Sequence, residues 1–466
     1  MIRINVLPDE VLREIFDLYM MIMKQSYASE RSVEAWQSLV HVCRQWRNVV
    51  FGSPRRLNLQ LYCTDKTPAK DRLDIWPAFP LILSSFTTSG SENVIAALEQ
   101  SNRVCQVTLY LADRLSEKVF ALMQVSFPEL TYLYLKLYGG RSPVIPDSFL
   151  GGSAPRLRYL RLDNISFPGL PKLLLSATHL VHLILYGIPH SGYISPRAIA
   201  ALLSALFSLE RLFLEFRSPQ SRPYREPQGL PPPKRSVLPA LHEFRFRGVT
   251  EYLEELVTRI DIPQLDCMDI TFFNQIDFNC PRLAQFIKCT PIFGALNEAH
   301  VRFRNSSASV TLPSRTSESK RRDLQIYISC TELDWQLSSI EQVCNNFLPP
   351  LPTVEDLYIW HYYSELVWKD EAIENTLWLQ LLLPFTAVKH LYLNKEFAPG
   401  IAAAMQELGE GRITEVLPNL QNIFVEGLEP WRSFQKQIGQ FVAARQLLGR
   451  SIAISIWDDP SFWEHR

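Results

Sequence analysis

The residue types that most often carry chemistry are sparse and unpatterned in this sequence. His179 and His182 stand three residues apart near a predicted strand, but no third metal ligand accompanies them, and such a pair is more often structural or exposed. There is no Gly-x-Ser-x-Gly nucleophile motif, no Gly-Lys-Ser/Thr phosphate loop and no His-Glu-x-x-His motif. The 8 cysteines are scattered without a Cys-x-x-Cys pair, which predicts reduced, buried thiols. We therefore expect no catalytic activity, no metal and no cofactor.

The residues better suited to binding lie on short strands with the pattern apolar-any-apolar. In a β-strand the middle side chain points to the opposite face from its two neighbours. Large rings and arginines at such positions are typical of protein interfaces. The residues predicted to contact a target protein are Tyr134, Arg161, Phe213, Arg245, Tyr327, Tyr358, Trp360 and Tyr392. The alternative is that these rings only cover neighbouring strands.

The strands that would position these residues recur through most of the chain. From Val107 to Val425 the pattern returns at intervals of roughly 30 residues, which indicates a repeat architecture. Amphipathic helical patterns lie between the strands, and each unit of a strand and a return helix buries its apolar faces only by stacking on its neighbours. The predicted fold class is therefore α/β, a solenoid with parallel strands on its concave face and helices outside.

The first fifty residues have a different, helical pattern. Leu12, Ile15, Phe16 and Tyr19 recur at i, i+3, i+4 and i+7, which is one apolar face of an α-helix. A second block around Trp46 repeats this arrangement. Helices covering about fifty residues are too few to bury a core of their own, so their apolar faces need a partner, either the rest of the chain or another protein.

These blocks carry a resemblance to a known family. Leu-Pro-x-Glu-x-Leu-x-x-Ile-Phe from Leu7, followed by Val-Cys-x-x-Trp-Arg from Val42, resembles the F-box, in the form common in mushroom-forming fungi (basidiomycetes). The resemblance covers residues 4–55 and implies binding to a Skp-type adaptor and, through it, to a cullin. The residues that it assigns to adaptor binding are Leu7, Pro8, Leu12, Ile15, Phe16, Val42, Cys43 and Trp46.

The repeats carry a second resemblance. Segments such as Pro155-Arg-Leu-Arg-Tyr-Leu-Arg-Leu162 and Pro418-Asn-Leu-Gln-Asn-Ile-Phe-Val425 resemble degenerate leucine-rich repeats. We expect an F-box at 1–55, a solenoid at 56–430 and a C-terminal cap at 431–466. Two segments that break the period, 217–236 and 305–323, are expected to be mobile loop insertions.

The overall composition is that of an ordinary soluble globular protein. The net charge is −1 and the hydrophobic share is 47%, which gives no global attraction to nucleic acid or to an anionic membrane. Without a secretory signal or an apolar run long enough to span a bilayer, we expect a cytoplasmic or nuclear location. The resemblance implies a substrate-recognition subunit of an SCF-type cullin–RING ubiquitin ligase. The alternative is a solenoid scaffold for protein interactions with no ligase attached.

Overall fold

The protein is described here from a computed structural model. It covers most of the chain: residues 7–26, 34–64, 69–86, 91–139, 144–167, 170–219, 235–273, 278–294, 296–313, 323–346, 348, 351–361, 375–408, 412–426 and 431–457. The chain forms two compact units. Among the described residues, the first unit contains 7–194 and 205–209, and the second contains 195–204, 210–219 and 235–457.

The first unit opens with a small helical cluster. Its helices are α1 (Asp9–Ser26), α2 (Trp36–Val40) and α3 (Arg44–Gly52). Helix α1 begins directly after Pro8, and the acidic residues Asp9 and Glu10 lie in its first turn, where the helix dipole favours negative charge. Cys43 caps α3 because its Sγ atom accepts the backbone N–H of Trp46 at 3.5 Å.

The rest of the first unit is a parallel sheet with return helices. The strands are β1 (Leu61–Thr64), β2 (Leu81–Ser85), β3 (Val104–Ala112), β4 (Tyr132–Tyr138), β5 (Tyr159–Asp163) and β6 (His182–Ile188). The helices are α4 (Ala69–Ile75), α5 (Ser91–Leu98), α6 (Asp113–Leu122) and α7 (Leu170–Ser176). The strands neighbour one another in chain order, and Leu133 on β4 pairs with the equally buried Leu160 on β5. Such aligned leucines form the core beneath the helices, while the alternate side chains point to the opposite face.

The second unit continues the alternation of strands and helices. Its strands are β7 (Arg211–Phe216), β8 (Ser236–Val237), β9 (Glu243–Gly248), β10 (Ile260–Asp261), β11 (Cys267–Phe272), β12 (Glu298–Arg304), β13 (Ser307–Pro313), β14 (Asp323–Ser329), β15 (Asp356–His361), β16 (His390–Leu393), β17 (Asn422–Glu426) and β18 (Ala453–Trp457). Its helices are α8 (Pro196–Leu203), α9 (Thr250–Val257), α10 (Pro281–Cys289), α11 (Leu333–Asn346), α12 (Asn375–Leu382), α13 (Ala398–Gln406) and α14 (Trp431–Leu447). The short strands β8 and β10 pair with each other, outside the main sheet.

One part of the second unit departs from a regular repeat. The order of its main sheet is β7-β9-β11-β14-β13-β12-β15-β16-β17-β18, so that β12, β13 and β14 occur in reverse order. Strand β13 runs antiparallel to both of its neighbours. Only the two residues Asn305 and Ser306 separate β12 from β13, and a connection that short forms a hairpin and cannot form a parallel crossover.

Most predicted strands are present, and the structure differs from the prediction at three places. The segment 305–323 was expected to be a loop, which is wrong for Ser307–Pro313, because these residues form β13. The strand predicted from Leu57 begins instead at Leu61, since Asn58 adopts a positive φ of 48°. The strand β2 was not predicted. Residues 220–234 of the other expected insertion, and 314–322 of this one, lie outside the described residues.

Candidate protein-interaction surfaces

One face of α1 packs inside the helical cluster. Leu12, Phe16 and Met20, spaced four residues apart, are buried. The ring of Phe16 meets the indole of Trp46 on α3 edge-on, with centroids 4.8 Å apart. Edge-to-face contacts of this kind are favourable for aromatic pairs. This face therefore attaches α1 to the rest of the chain.

A second apolar face of α1 is open to solvent. We call it the exposed stripe, and it consists of Val11, Ile15, Leu18 and Ile22, whose exposed fractions are 42%, 43%, 58% and 60%. Steps of four, three and four residues place these side chains along one line of the helix surface. Val42, in the turn between α2 and α3, is also exposed. A run of large apolar side chains at a helix surface is typical of a protein-interaction site.

The residues predicted to bind an adaptor divide between the two faces. Leu12 and Phe16 are fully buried within this chain, so their assignment to a contact surface is corrected. The prediction failed for them because helical periodicity identifies an apolar face without saying which protein covers it. The other six predicted residues remain at least partly accessible: Leu7, Pro8, Ile15, Val42, Cys43 and Trp46. Leu18 and Ile22 were not predicted, although their spacing from Ile15 was a readable signal.

The helical cluster is anchored to the first repeat through Trp36. This side chain is fully buried, and its indole N–H donates to the carbonyl of Gln60 at 3.0 Å. Its ring also meets Trp76 and Phe79 edge-on at 5.0 and 5.4 Å. The cluster is therefore packed on the first repeat through α2, while the side chains of the exposed stripe of α1 remain accessible to solvent.

In the first unit, two predicted target-binding residues are joined by a third residue. The guanidinium of Arg161 lies 4.5 Å from the ring centroid of Tyr134. Both side chains bind Asp163: Arg161 donates through two nitrogens at 2.9 Å each, and the Tyr134 hydroxyl donates at 3.0 Å. The hydrogen bond to Asp163 raises the pKa of Arg161, and burial raises the pKa of Tyr134. The pair is a rigid, internally neutralised part of the sheet face.

Beside this pair lies a group of rings that we call the tyrosine cluster, made of Phe86, Tyr110, Tyr134 and Tyr138. Tyr110 contacts each of the other three edge-on, with centroids 5.0 to 5.6 Å apart. Phe86 and Tyr138 are 59% and 50% exposed, so the cluster has an accessible apolar edge. The Lys136 ammonium lies 5.5 and 5.0 Å from the Tyr110 and Tyr138 rings. Phe86 was missed because β2, which it follows, was not predicted.

In the second unit, four rings stack along one row of the sheet. This ring ladder consists of His300, Tyr358, Tyr392 and Phe424, which the parallel register places side by side. Successive centroids are 4.6, 4.2 and 4.6 Å apart. The Nε2 atom of His300 lies 2.5 Å from a carboxylate oxygen of Glu298, and both side chains are buried.

Two of the four rings of the ladder, His300 and Tyr358, are buried. Tyr358 is 6% exposed and Trp360 is 7% exposed, and the ring of Trp360 is covered by the guanidinium of Arg302 at 4.8 Å. For these two residues the interpretation as contacts of a target is corrected, because their surfaces are used by neighbouring strands. Burial raises the pKa of the Tyr358 hydroxyl. Tyr392 is half-buried.

The remaining predicted contacts are half-buried and form separate local pairs. The guanidinium of Arg245 lies 4.5 Å from the Phe213 ring and donates to Glu243. The hydroxyl of Tyr327 donates to Gln325 at 2.7 Å. The strand register places Phe213 and Arg245 in the same cross-strand row as the ring ladder, which they join through the intervening strands β11, β14 and β13. The role of Phe213, Arg245 and Tyr327 in binding a target stays a prediction.

No catalytic arrangement is apparent within the described part of the chain. His179 is exposed, whereas His182 packs edge-on against Tyr159 at 5.5 Å, so the two do not share a site. In the same residues, no group of three His, Cys, Asp or Glu side chains is arranged to hold a metal ion. None of the helices described here is long and apolar enough to cross a membrane.

Comparisons with known proteins identify no family for this chain. No protein-family model matches the sequence, and no curated protein matches it significantly. Among solved structures, the chain is similar to LegL7, a leucine-rich repeat-containing protein from Legionella pneumophila, at 13% identity. The match covers 86% of this chain and 100% of that one, with a TM-score of 0.26. The strand order and register therefore define the class by themselves: an α/β protein of strand–helix repeats, compatible with an irregular leucine-rich-repeat-like fold.

Proposed function

We propose that this chain is a substrate-recognition subunit of an SCF-type cullin–RING ubiquitin ligase. Its helical cluster would bind a Skp-type adaptor, and the sheet face opposite the repeat helices would bind a target protein. The observation that carries the proposal is the two-sided character of α1. One apolar face is satisfied inside the chain, and the exposed stripe is a second one, within the segment whose sequence resembles the F-box. A receptor of this kind supplies binding alone, since other subunits perform ubiquitin transfer.

The exposed stripe gives a direct test of the adaptor contact. We expect the full chain to co-purify with a fungal Skp-type adaptor and an Ile15→Glu/Leu18→Glu variant to lose at least tenfold in affinity. Burying one large apolar side chain contributes about 1.5–3 kcal/mol, and about 1.4 kcal/mol corresponds to a factor of ten. Val125→Glu is the matched control, because Val125 is equally exposed but lies outside the cluster. Adaptor binding that survives the stripe variant would contradict the proposal.

The target contact is assigned to the tyrosine cluster, whose exposed edge combines rings with an ammonium group. Tyrosine is among the residues that dominate protein interfaces, since a large ring loses little conformational entropy on binding. A Phe86→Ala/Tyr138→Ala variant should retain the adaptor and lose captured targets. Retention of the same targets by that variant would move the target site elsewhere.

A scaffold without a ligase is the second candidate, and the burial of Trp36 favours it. The buried Trp36 side chain attaches the helical cluster to the first repeat, as expected for a cap that covers the end of a solenoid. In this case the chain binds no Skp-type adaptor at all. The co-purification experiment therefore separates the two functions, with Phe16→Ala serving to report damage to the cluster itself.

A further inference from the structure

The outer edge of β1, in the first unit, is closed by side chains. The backbone N–H of Tyr62 points away from β2 and donates to the Glu34 carboxylate at 2.9 Å. Arg72 donates to both oxygens of Glu34 at 2.6 and 2.7 Å and to the carbonyl of Tyr62 at 3.3 Å. This ion pair occupies the positions that a further strand would need. Proteins commonly block sheet edges with charged groups in this way.

In the described part of the chain, no ion pair blocks the outer edge of β18, in the second unit. The N–H of Ala453 donates to Gln421 at 2.8 Å, so that Ala453, Ser455 and Trp457 direct their backbone groups toward β17. By alternation, Ile454 and Ile456 direct their N–H and C=O groups outward. Among the described residues, no strand pairs with this edge. The five residues of β18 include no charge and no proline, the usual protections of an edge strand.

Apolar side chains accompany this open edge. Leu447 and Leu448, at the end of α14 and a few residues before β18, are 89% and 54% exposed. Ile454 and Ile456 pair in register with the core residues Ile423 and Val425 but are themselves only half-buried. Among the described residues, β18 is therefore the last strand of the sheet, with outward backbone groups and half-buried apolar side chains at its edge.

We propose that two copies of this chain pair through β18, edge to edge and antiparallel, about a two-fold axis at Ser455. The segment Ile454-Ser455-Ile456 reads the same in both directions. A two-fold axis at Ser455 would therefore place Ile454 of one copy opposite Ile456 of the other, and each such pair exchanges two backbone hydrogen bonds. The small Ser455 side chains would meet at the axis, and no like charges would oppose each other. This self-complementarity favours a second copy over an extended segment of another protein.

This inference does not depend on the proposed ligase function. Adaptor binding and pairing use surfaces at opposite ends of the sequence, so either property can fail while the other holds.

The register gives a specific cross-linking test. Residues opposite each other in a non-hydrogen-bonded antiparallel pair have Cα atoms about 4.5 Å apart, within the range that a disulfide spans. We expect full-length S455C to form a disulfide-linked dimer under mild oxidation. A453C, which would face Trp457 rather than itself, should not do so, and the unaltered chain controls for its own 8 cysteines. Equal cross-linking of A453C and S455C would overturn the proposed register.

Molar mass in solution gives a second, independent measurement. The full chain should dimerise with rising concentration, and I456P should raise the dimer dissociation constant at least tenfold. Proline at 456 removes an outward N–H that makes no bond to β17, which is the position where edge strands tolerate proline. I456V retains that N–H and should dimerise normally. A chain that stays monomeric at every concentration, or that dimerises unchanged as I456P, would exclude pairing through β18.

Discussion

The ring of Tyr358 stacks on the ring of Tyr392 with centroids 4.2 Å apart and planes inclined by only 8°. The two residues pair directly in register on β15 and β16, so the parallel sheet itself brings the rings face to face. Strands of a sheet lie about 4.8 Å apart, and flat rings fill that spacing when each residue of the row is aromatic. The ring ladder is therefore a stabilising feature of the second unit.

Removing the central ring of the ladder should destabilise the second unit. Tyr358→Ala should lower the free energy of unfolding by about 3 kcal/mol or more, because a buried ring and its two stacking contacts are lost. Tyr358→Phe keeps the ring and should change the free energy by less than about 1 kcal/mol. Urea denaturation monitored by aromatic circular dichroism measures both. Similar unfolding of the two variants would show that the stacking contributes nothing.

A buried arginine holds the end of α14 to the preceding turn. Arg445 is fully buried and donates to the carbonyls of Val416, Leu417 and Pro418 at 2.7, 2.8 and 3.1 Å. Burial lowers the pKa of its guanidinium, although arginine stays protonated at neutral pH. Arg445→Ala removes these three hydrogen bonds together with a fully buried side chain, and should cost about 3 kcal/mol or more.

The neighbouring Arg450 provides the matched control for Arg445. It donates to the same Pro418 carbonyl at 2.8 Å but is exposed, so Arg450→Ala should cost less than about 1 kcal/mol. Hydrogen exchange of α14 and β18 should accelerate in the Arg445 variant and remain unchanged in the Arg450 variant. Equal effects of the two would show that burial of Arg445 is not the cause.

The cysteines should react with thiol reagents in an order set by burial. Burial raises the pKa of both Cys63 and Cys105 to about 11, so almost no thiolate is present at neutral pH. Cys289 is exposed and Cys43 half-buried, while the other six are buried. Labelling in the native state should modify Cys289 first and Cys43 more slowly. Cys289→Ser should remove the fast phase, and rapid labelling of Cys63 or Cys105 would contradict the buried placement.

A helix-capping carboxylate should give a measurable pH dependence. Glu254 on α9 accepts the backbone N–H groups of Arg282 and Leu283 at 3.2 and 2.6 Å. Burial nevertheless raises the pKa of Glu254 above its ordinary value. Below the ordinary pKa, the Glu254 carboxyl group is protonated in both the folded and the unfolded chain. As the pH rises toward the folded pKa, the unfolded chain releases its proton first, and stability is lost.

The variant Glu254→Gln should isolate this effect. Because glutamine does not titrate, the stability of the unaltered chain relative to the variant should fall as the pH rises through the ordinary glutamate pKa of about 4.3 toward the higher pKa of the folded state. Thermal unfolding across that interval measures the difference. Glu251→Gln, at an exposed position of the same helix, serves as the control. If the stability of the unaltered chain relative to the variant increased with pH, the two capping hydrogen bonds would affect the pKa of Glu254 more than burial does.

Much of the repeat fold was predictable because strand-forming patterns are local. Leu133, Leu135, Leu160 and Leu162 alternate with polar or aromatic residues, and that alternation suffices to identify two buried strands. Strand order could not be predicted in the same way, because it depends on which strands pair in the folded structure. The pattern at Ala299–Val301 identified β12, but nothing in it indicated that β12 would pair with β15 and not with β11.

The candidate surfaces, too, could be predicted from the sequence only in part. The apolar positions of α1 could be identified from the sequence. However, Leu12 with Phe16 and Ile15 with Leu18 both have the spacing of residues on one helix face. Only the packing against Trp46 decides which pair is interior. The outward direction of Tyr358 was predicted from alternation, whereas its closure by the stacked rings of neighbouring strands depends on residues far away in sequence.

The reversed order of β12, β13 and β14 bears on how the second unit is assembled during synthesis. In a regular array, each new repeat can settle on the one before it as soon as it is made. Here β11 can pair with β9 at once, but its second neighbour is β14, where the Cys267 thiol donates a hydrogen bond to Asp323, 56 residues further along the chain. Folding that begins at the amino-terminal side therefore leaves the second edge of β11 unpaired until the whole meander has left the ribosome. An interval of this kind, with an apolar strand waiting for its neighbour, is where a nascent chain depends most on chaperones.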